Sequence, residues 1–300
     1  MARKNSDANN KKWLVFIDTN ILLDFYRLPG ESALRQLKLL EKHQSSLILG
    51  DQVRMEFMKN RQKAILAGIA AMPKPQKPTL PSVLIDSQAA KMLTKNHVAI
   101  EKKWQAARKK IENMLTDPYK VDPVYKHLAR IFDQNSKFNL KRPDKTRFTI
   151  RNLARKRAAL GYPPRKGNAN SLGDSLHWEW IIHCAQNSED RHNILIVSRD
   201  EDFGVVYNDK AILNDWLHRE FKERVSKKRN IELTRQLTIA LKRLNEQVSA
   251  VDEEEEKKLI ETDPNSPSVR EAIDWMEGKP VSPERDQFLN EYFRVKREES

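Results

Sequence analysis

Three short apolar runs, separated by segments with helical spacing, most constrain the fold of this chain. The runs are residues 13–17 (WLVFI), 46–50 (SLILG) and 193–197 (NILIV). Short apolar runs with β-branched and aromatic residues are typical of buried strands. Because strands and helices alternate at this spacing, the sequence predicts an α/β fold with a central parallel sheet.

Helical patterns fill most of the sequence between these runs. Asp51 and Asp174 are suited to begin their helices, because a carboxylate can accept hydrogen bonds from the free N–H groups of a first turn. Val205 and Val206 predict a short edge strand. We expect helices over residues 21–27, 32–43, 53–69, 174–186, 212–224 and 231–248, the last continuing into the acidic run at 252–256.

A proline-rich connector interrupts the α/β pattern. Residues 72–81 contain four prolines, which neither a helix interior nor a central strand accommodates. The sequence that follows is charged and helix-favouring, with no strand signal until residue 160. We therefore predict a main domain at 13–248 with a helical insertion at about 72–160, and a tail at 249–300 that holds a helix end and weakly structured sequence. The insertion is a candidate lid, substrate platform or partner surface.

The chain is strongly basic, which favours polyanionic partners. Its formal net charge is +13, and a soluble protein with such an excess attracts nucleic acid above all. Residues 141–166 hold ten Lys or Arg and a single acidic residue, Asp144. This segment is either a solvated helix face or a surface that contacts phosphates.

Composition also excludes several kinds of protein. The single cysteine, Cys184, excludes an intramolecular disulfide and a zinc site built from cysteines. No apolar run approaches the roughly 18 residues that a membrane-spanning helix needs, and the first residues lack the apolar stretch of a secretory signal. We therefore expect a cytoplasmic protein with no membrane partner.

Acidic residues stand where predicted strands end or helices begin. Asp18 ends the first strand, Glu56 lies one turn inside a helix, Asp174 begins another, and Asp200 and Asp202 follow the third strand. Parallel strands bring such residues to one edge of the sheet. Clustered carboxylates repel unless a divalent cation is bound, and an all-oxygen set suits Mg²⁺ or Mn²⁺. Such an ion can activate water against a phosphodiester, which is nuclease chemistry.

The order of these motifs also resembles a known family. It runs through Asp18-Thr-Asn20, Arg54-Met-Glu56-Phe, Gly173-Asp174-Ser and Ser198-Arg-Asp200-Glu-Asp202-Phe, and it is similar to that of the PIN domain, a metal-dependent ribonuclease fold. A bacterial PIN-like subfamily is a closer resemblance. It shares the block Asp18-Thr-Asn-Ile-Leu-Leu-Asp-Phe-Tyr-Arg27, the Gly-Asp-Ser-Leu-x-Trp helix and the long helical insertion. The resemblance covers residues 13 to about 206 and says little about the tail.

This resemblance implies a fold, an activity and a site. The implied fold is a three-layer α/β/α PIN-like domain with C-terminal helices, and the implied activity is an endoribonuclease that prefers single-stranded RNA and uses Mg²⁺ or Mn²⁺. A toxin, an antiviral effector or an RNA-processing factor are roles that it permits. The implied metal ligands are Asp18, Glu56, Asp174 and Asp200, with Asp202 as a further ligand and Asn20 and Ser198 in support. Arg54, Arg165, Lys166 and Arg199 are the expected contacts to nucleic acid.

Each proposed site residue also has a structural interpretation. Asp18 could only bond backbone amides, and Asn20 either caps a helix or orients Asp18. Asp24 lies six residues after Asp18, about 1.7 helical turns further on, and we interpret it as structural. Three further residues near Asp174 are more often packed side chains than functional ones, namely His177, Trp178 and Trp180.

Two other functions fit the same residues. A nucleic-acid-binding or scaffold protein could use the insertion and the C-terminal helices while the acidic site is vestigial. A metal-dependent hydrolase could use the same site on DNA or on small phosphoesters. The expected partners are therefore single-stranded RNA, single-stranded DNA, a regulatory protein and a second copy of the chain.

Overall fold

The three apolar runs form neighbouring strands of one parallel sheet. The structure is a computed structural model that describes residues 12–70, 72–164, 172–189 and 191–262. The chain divides into two structural units, Met1–Gln247 and Val248–Ser300. The strands described in the first unit are β1 (Trp13–Ile17), β2 (Leu47–Gly50), β3 (Asn139–Leu140), β4 (Asn193–Val197), β5 (Gly204–Tyr207), β6 (Lys210–Leu213) and β7 (Ile231–Thr234).

The sheet has five parallel strands in the order β3-β2-β1-β4-β7. From β1 the chain passes through β2 to β3 at one edge, and then crosses back to β4 on the other side of β1. The strand order therefore reverses between β1 and β4, where the aligned pairs run from Trp13 and Asn193 to Ile17 and Val197. In open parallel sheets, ligands bind beyond the carboxyl ends of the strands at such a reversal.

Helices cover both faces of the sheet. Every residue of β1, β2 and β4 is buried, and a parallel strand buried along its whole length has both faces covered. The predicted α/β fold with a central parallel sheet is confirmed. The helices are α1 (Thr19–Leu23), α2 (Gly30–Lys42), α3 (Asp51–Ala70), α4 (Gln88–Thr116), α5 (Pro118–Val121), α6 (Pro123–Asp133), α7 (Thr146–Ala159), α8 (Gly173–Gln186), α9 (Asp215–Arg224) and α10 (Leu237–Arg243) in the first unit, and α11 (Ala250–Glu261) in the second.

The insertion is largely helical, as its composition predicts. It carries α4 to α7, and α4 buries only Ala90 along its 29 residues. Such an exposed helix tolerates the many charged residues of this segment, because they remain in water. Within the described ranges, no helix combines the length and the apolar character that a membrane span requires.

Three strands depart from the predicted elements. The prediction of one helix over 231–248 is wrong, because Ile231–Thr234 forms β7 and pairs with β4. The prediction of a helix from Ile212 is also wrong, because this residue belongs to β6, which pairs with β5. β3 lies inside the insertion and extends the sheet from β2. In each case hydrogen bonds to a neighbouring strand override the local pattern.

A buried ion pair anchors the insertion to α3. The Arg61 guanidinium donates to Asp122 Oδ2 from Nη2 at 2.6 Å and from Nε at 3.0 Å, and both side chains are at most 4% exposed. Tyr26 donates its hydroxyl to the same oxygen at 2.7 Å. Asp122 also accepts from the backbone N–H of Tyr125 and so caps α6. One carboxylate therefore ties three parts of the chain together.

A second buried network joins the insertion to α8 and α9. Arg157 of α7 donates from Nε to Glu179 of α8 at 2.8 Å, and Arg224 of α9 donates to the other oxygen of Glu179 at 2.7 Å. Both arginines also donate to Glu220. Burial works against ionisation of Glu220, but the hydrogen bonds from Arg157 and Arg224 lower its pKa below the ordinary value. The four charges compensate one another.

We expect Arg61→Ala to destabilise the protein by about 3–5 kcal/mol, because Asp122 then stays buried without its counter-charge. Urea unfolding followed by circular dichroism measures the loss. The control is Arg35→Ala, whose guanidinium is 47% exposed and lies 3.8 Å from the exposed Glu31. That change should stay within about 0.5 kcal/mol of wild type. Equal stability of the two variants would contradict the anchoring role of the buried pair.

Gly204 permits the close approach of β5 and β6, and its replacement should be costly. A Cβ at Gly204 would lie 2.0 Å from the backbone carbonyl oxygen of Ile212, so Gly204→Ala should destabilise the protein by about 1–3 kcal/mol or more. In the control Gly50→Ala, the new Cβ would meet its nearest atom, in Leu140, at an ordinary 3.7 Å. Thermal unfolding compares them, and similar melting temperatures would refute the steric argument.

Candidate functional site

Three carboxylates converge at the end of the sheet where the strand order reverses. Asp174, Asp200 and Asp202 each offer an oxygen, and these oxygens all lie within 4.8 Å of one another. Asp174 stands in the first turn of α8, where the helix dipole favours a negative charge. The other two lie in the loop after β4, which is anchored by Phe203 packed against Phe16 of β1. All three are half-buried, so a ligand can reach them.

Asp18 is fixed at the end of β1 by the chain that follows β4. Its backbone N–H donates to the carbonyl of Val197 at 2.9 Å. Its carboxylate, in a residue only 6% exposed, accepts from Ser198 Oγ at 2.5 Å and from Asn20 Nδ2 at 3.0 Å. Ser198 Oγ also accepts from the backbone N–H of Asp200 at 3.0 Å. One hydroxyl group therefore links Asp18 to the loop that carries the cluster.

Electrostatics also place Asp18 beside the cluster. Burial raises the pKa of Asp18 above its ordinary value, and the negative charges of Asp200 and Asp174 raise it further. His177 and the hydrogen bond from Ser198 lower it in part. Asp18 therefore lies within reach of the negative charges of Asp174 and Asp200.

Glu56 is held by polar neighbours, one of which is Thr19, the residue after Asp18. Thr19 Oγ1 donates to Glu56 Oε2 at 3.1 Å, and Gln52 Nε2 donates to Glu56 Oε1 at 2.6 Å. His177 Nε2 lies 3.8 Å from Glu56 Oε2. The oxygens of Glu56 and Asp18 are not among those grouped within 4.8 Å in the described part of the chain. Of the five predicted acids, the structure brings three together as a cluster, places Asp18 within reach of their charge, and links Glu56 to this site through Thr19 and His177.

His177 is closer to the acidic site than the sequence pattern indicates. It is 2% exposed and packs on Phe16 with ring centroids 5.2 Å apart. Neither ring nitrogen makes a hydrogen bond within the described residues. Its position three residues after Asp174 predicts that both lie on one helix face, but only the packing of α8 against α3 brings the imidazole to Glu56. Thr19 and Gln52 are contacts that the sequence analysis does not identify.

Two of the four expected nucleic-acid contacts are engaged in ion pairs. Arg199 is 6% exposed at its side chain and pairs with the buried Asp24, so its guanidinium does not face a surface. Asp24 also pairs with Arg27, which agrees with a structural role for this aspartate. Arg54 donates to Asp133 at 2.5 Å and remains partly exposed. Arg165 and Lys166 lie outside the described residues.

The donor set of the site fits a hard divalent cation. The cluster consists only of carboxylates, and oxygen ligands of this kind suit Mg²⁺ or Mn²⁺. Beside Asp18, the Oδ1 atom of Asn20 is buried and accepts no hydrogen bond within the described residues. This side-chain oxygen could therefore coordinate a cation or accept a hydrogen bond from a water bound to it.

Comparison with known proteins identifies the family. The family model described as a PIN domain matches residues 15–203, which is more than half of the chain and includes all five predicted acids. A search of the curated proteins and a search of the solved structures each returned no match. PIN domains are generally nucleases and typically use divalent metal ions, and the cluster of Asp174, Asp200 and Asp202 is compatible with that chemistry. The chain belongs to the PIN domain family.

Proposed function

We propose that this protein is a metal-dependent endoribonuclease that hydrolyses single-stranded RNA. The observation that carries the proposal is the convergence of oxygens from Asp174, Asp200 and Asp202 within 4.8 Å, with Asp18 in the same electrostatic environment. Carboxylates this close repel one another unless a cation compensates them. These four residues are therefore the proposed ligands of Mg²⁺ or Mn²⁺.

The residues around the proposed ion have distinct positioning roles. When bound, the cation would neutralise phosphate charge and lower the pKa of an attacking water. Ser198 and Asn20 hold Asp18 by hydrogen bonds to one carboxylate oxygen, so that this ligand is oriented before substrate arrives. Glu56, held by Thr19, is the carboxylate that we assign to orient water beside the cluster.

RNA is the favoured substrate because of charge and family. The net charge of +13 attracts polyanions, and the basic helix α7 packs beside α8, which carries Asp174. Preference for single strands is what the sequence resemblance to PIN ribonucleases implies. The roles of toxin, antiviral effector and RNA-processing factor would all depend on this cleavage.

We expect the purified protein to cleave an unstructured RNA with Mg²⁺ or Mn²⁺ and to lose this activity in EDTA. Asp174→Asn should slow cleavage by at least about 100-fold, because a lost ligand removes several kcal/mol of transition-state stabilisation. Gel electrophoresis of end-labelled RNA measures the rate. The control is Asp215→Asn, since Asp215 also stands in the first turn of a helix, α9, but is exposed.

The outcomes of this assay separate the three candidate functions. Cleavage that persists in EDTA and in Asp174→Asn would refute a metal-dependent nuclease at this site. Faster cleavage of single-stranded DNA than of RNA would keep the chemistry and change the substrate. Tight RNA binding without cleavage under any metal condition would favour the scaffold protein.

Metal binding can be tested without substrate. Asp200→Asn should raise the melting temperature of the metal-free protein, because it removes like-charge repulsion from the cluster. Addition of Mg²⁺ or Mn²⁺ should stabilise wild type by about 2.7 kcal/mol at a hundredfold excess over Kd, and should stabilise Asp200→Asn much less. Differential scanning fluorimetry with EDTA and a metal titration measures both effects. An identical response of wild type and variant to metal would contradict ligation by Asp200.

A further inference from the structure

A cavity beside the acidic site has no role in the function proposed so far. It has a volume of about 160 Å³ and lies between the end of β2, α3, α7 and α8. We call it the α7–α8 cavity. Most of its lining is apolar, with Phe16, Leu140, Leu176 and Trp180 as the larger groups. A mainly apolar lining with a few polar groups is typical of a pocket for a small ligand or part of one.

The α7–α8 cavity adjoins the proposed catalytic residues. His177 lines the cavity and also lies 3.8 Å from Glu56. Gln52 lines it too and donates to Glu56 at 2.6 Å. Phe16, which contributes to the apolar lining, stands two residues before Asp18. A group bound in the cavity would therefore be a close neighbour of a group bound at the carboxylates.

Two polar side chains that line the cavity, His177 and Arg151, make no hydrogen bond within the described residues. His177 is 2% exposed, and neither of its ring nitrogens makes a hydrogen bond within the described residues. A buried polar group that makes no hydrogen bond lowers the stability of the protein, so a ligand that hydrogen-bonds to it gains binding free energy. Arg151 makes no ion pair or hydrogen bond with any described residue. Arg147, one helical turn earlier, lies 3.5 Å from Asp51 instead.

We propose that the α7–α8 cavity binds one unpaired nucleotide of the RNA substrate, next to the phosphodiester that is cleaved. The base occupies the apolar interior, where His177 and Gln52 can bond to its edge, and Arg151 binds a phosphate of the same nucleotide. This inference rests on the proposed function and deepens it. Only an unstacked base can enter such a pocket, so the cavity would account for a preference for single strands.

A second cavity adjoins the first, where the next part of a bound RNA strand could lie. It has a volume of about 240 Å³ and shares Gly50, Asp51 and Leu140 with the lining of the first. Its other lining residues include Arg54 and Arg142. Arg54 pairs with Asp133, and Arg142 lies 3.8 Å from Asp51. The two cavities are therefore neighbours at the end of β2, and a strand bound in the first would continue past these ion pairs.

Binding of nucleoside monophosphates to the full chain in EDTA tests this proposal without any cleavage. Ligand-observed NMR would titrate the four ribonucleoside monophosphates, with ribose 5-phosphate and inorganic phosphate as probes that lack a base. We expect at least one monophosphate to bind at least tenfold more tightly than ribose 5-phosphate. Arg151→Ala should weaken this binding about tenfold or more. Leu176→Trp, which fills the cavity, should abolish it.

The matched control is Arg155→Ala, one turn after Arg151 on α7 and exposed. It should bind the monophosphate as wild type does, and thermal unfolding verifies that all variants fold. The proposal is overturned if no monophosphate binds, if ribose 5-phosphate binds equally well, or if Leu176→Trp binds normally while folded. If the protein cleaves RNA but binds no monophosphate, this inference alone is refuted. If it binds a monophosphate but cleaves no RNA, only the proposed function is refuted.

Discussion

The pairing of β1 with β4 is the constraint on which the rest of the site depends. Its register aligns Ile17 with Val197, so that the next residues, Asp18 and Ser198, lie side by side and share a hydrogen bond. The apolar side chains of both strands are buried on both faces, and a shift by one residue would turn each of them to the opposite face. Core packing of the two strands thereby fixes the positions of Asp18 and Ser198 at their ends.

Electrostatic repulsion between the carboxylates of the acidic site lowers the stability of the protein, and the surrounding fold must compensate for it. Asp18 is buried with a raised pKa, and the cluster of three aspartates holds its oxygens at close range. Local hydrogen bonds and the deep packing of Phe203 and Trp178 hold the surrounding backbone in place. Strain of this kind is common at functional sites, where it is compensated by stability elsewhere.

The sequence alone predicts the central strands and the order of the acidic residues, because short apolar runs and strand-end carboxylates are local signals. It does not predict β3 or β7, which are short and exist through pairing with β2 and β4. The burial of Arg199 against Asp24 is equally hidden, since an arginine beside acidic residues suggests a surface. The contact between His177 and Glu56 depends on how two helices pack, which no local pattern encodes.

The network of Arg157, Glu179, Glu220 and Arg224 has a consequence for ligand recognition. It joins α7, which carries Arg147 and Arg151, to α8, which carries Asp174 and His177. Unfolding α7 alone would leave buried charge uncompensated, so the two helices gain or lose order together. The two walls of the cavity are therefore preorganised. The binding free energy of a ligand that enters it is not reduced by the entropic cost of ordering α7 against α8.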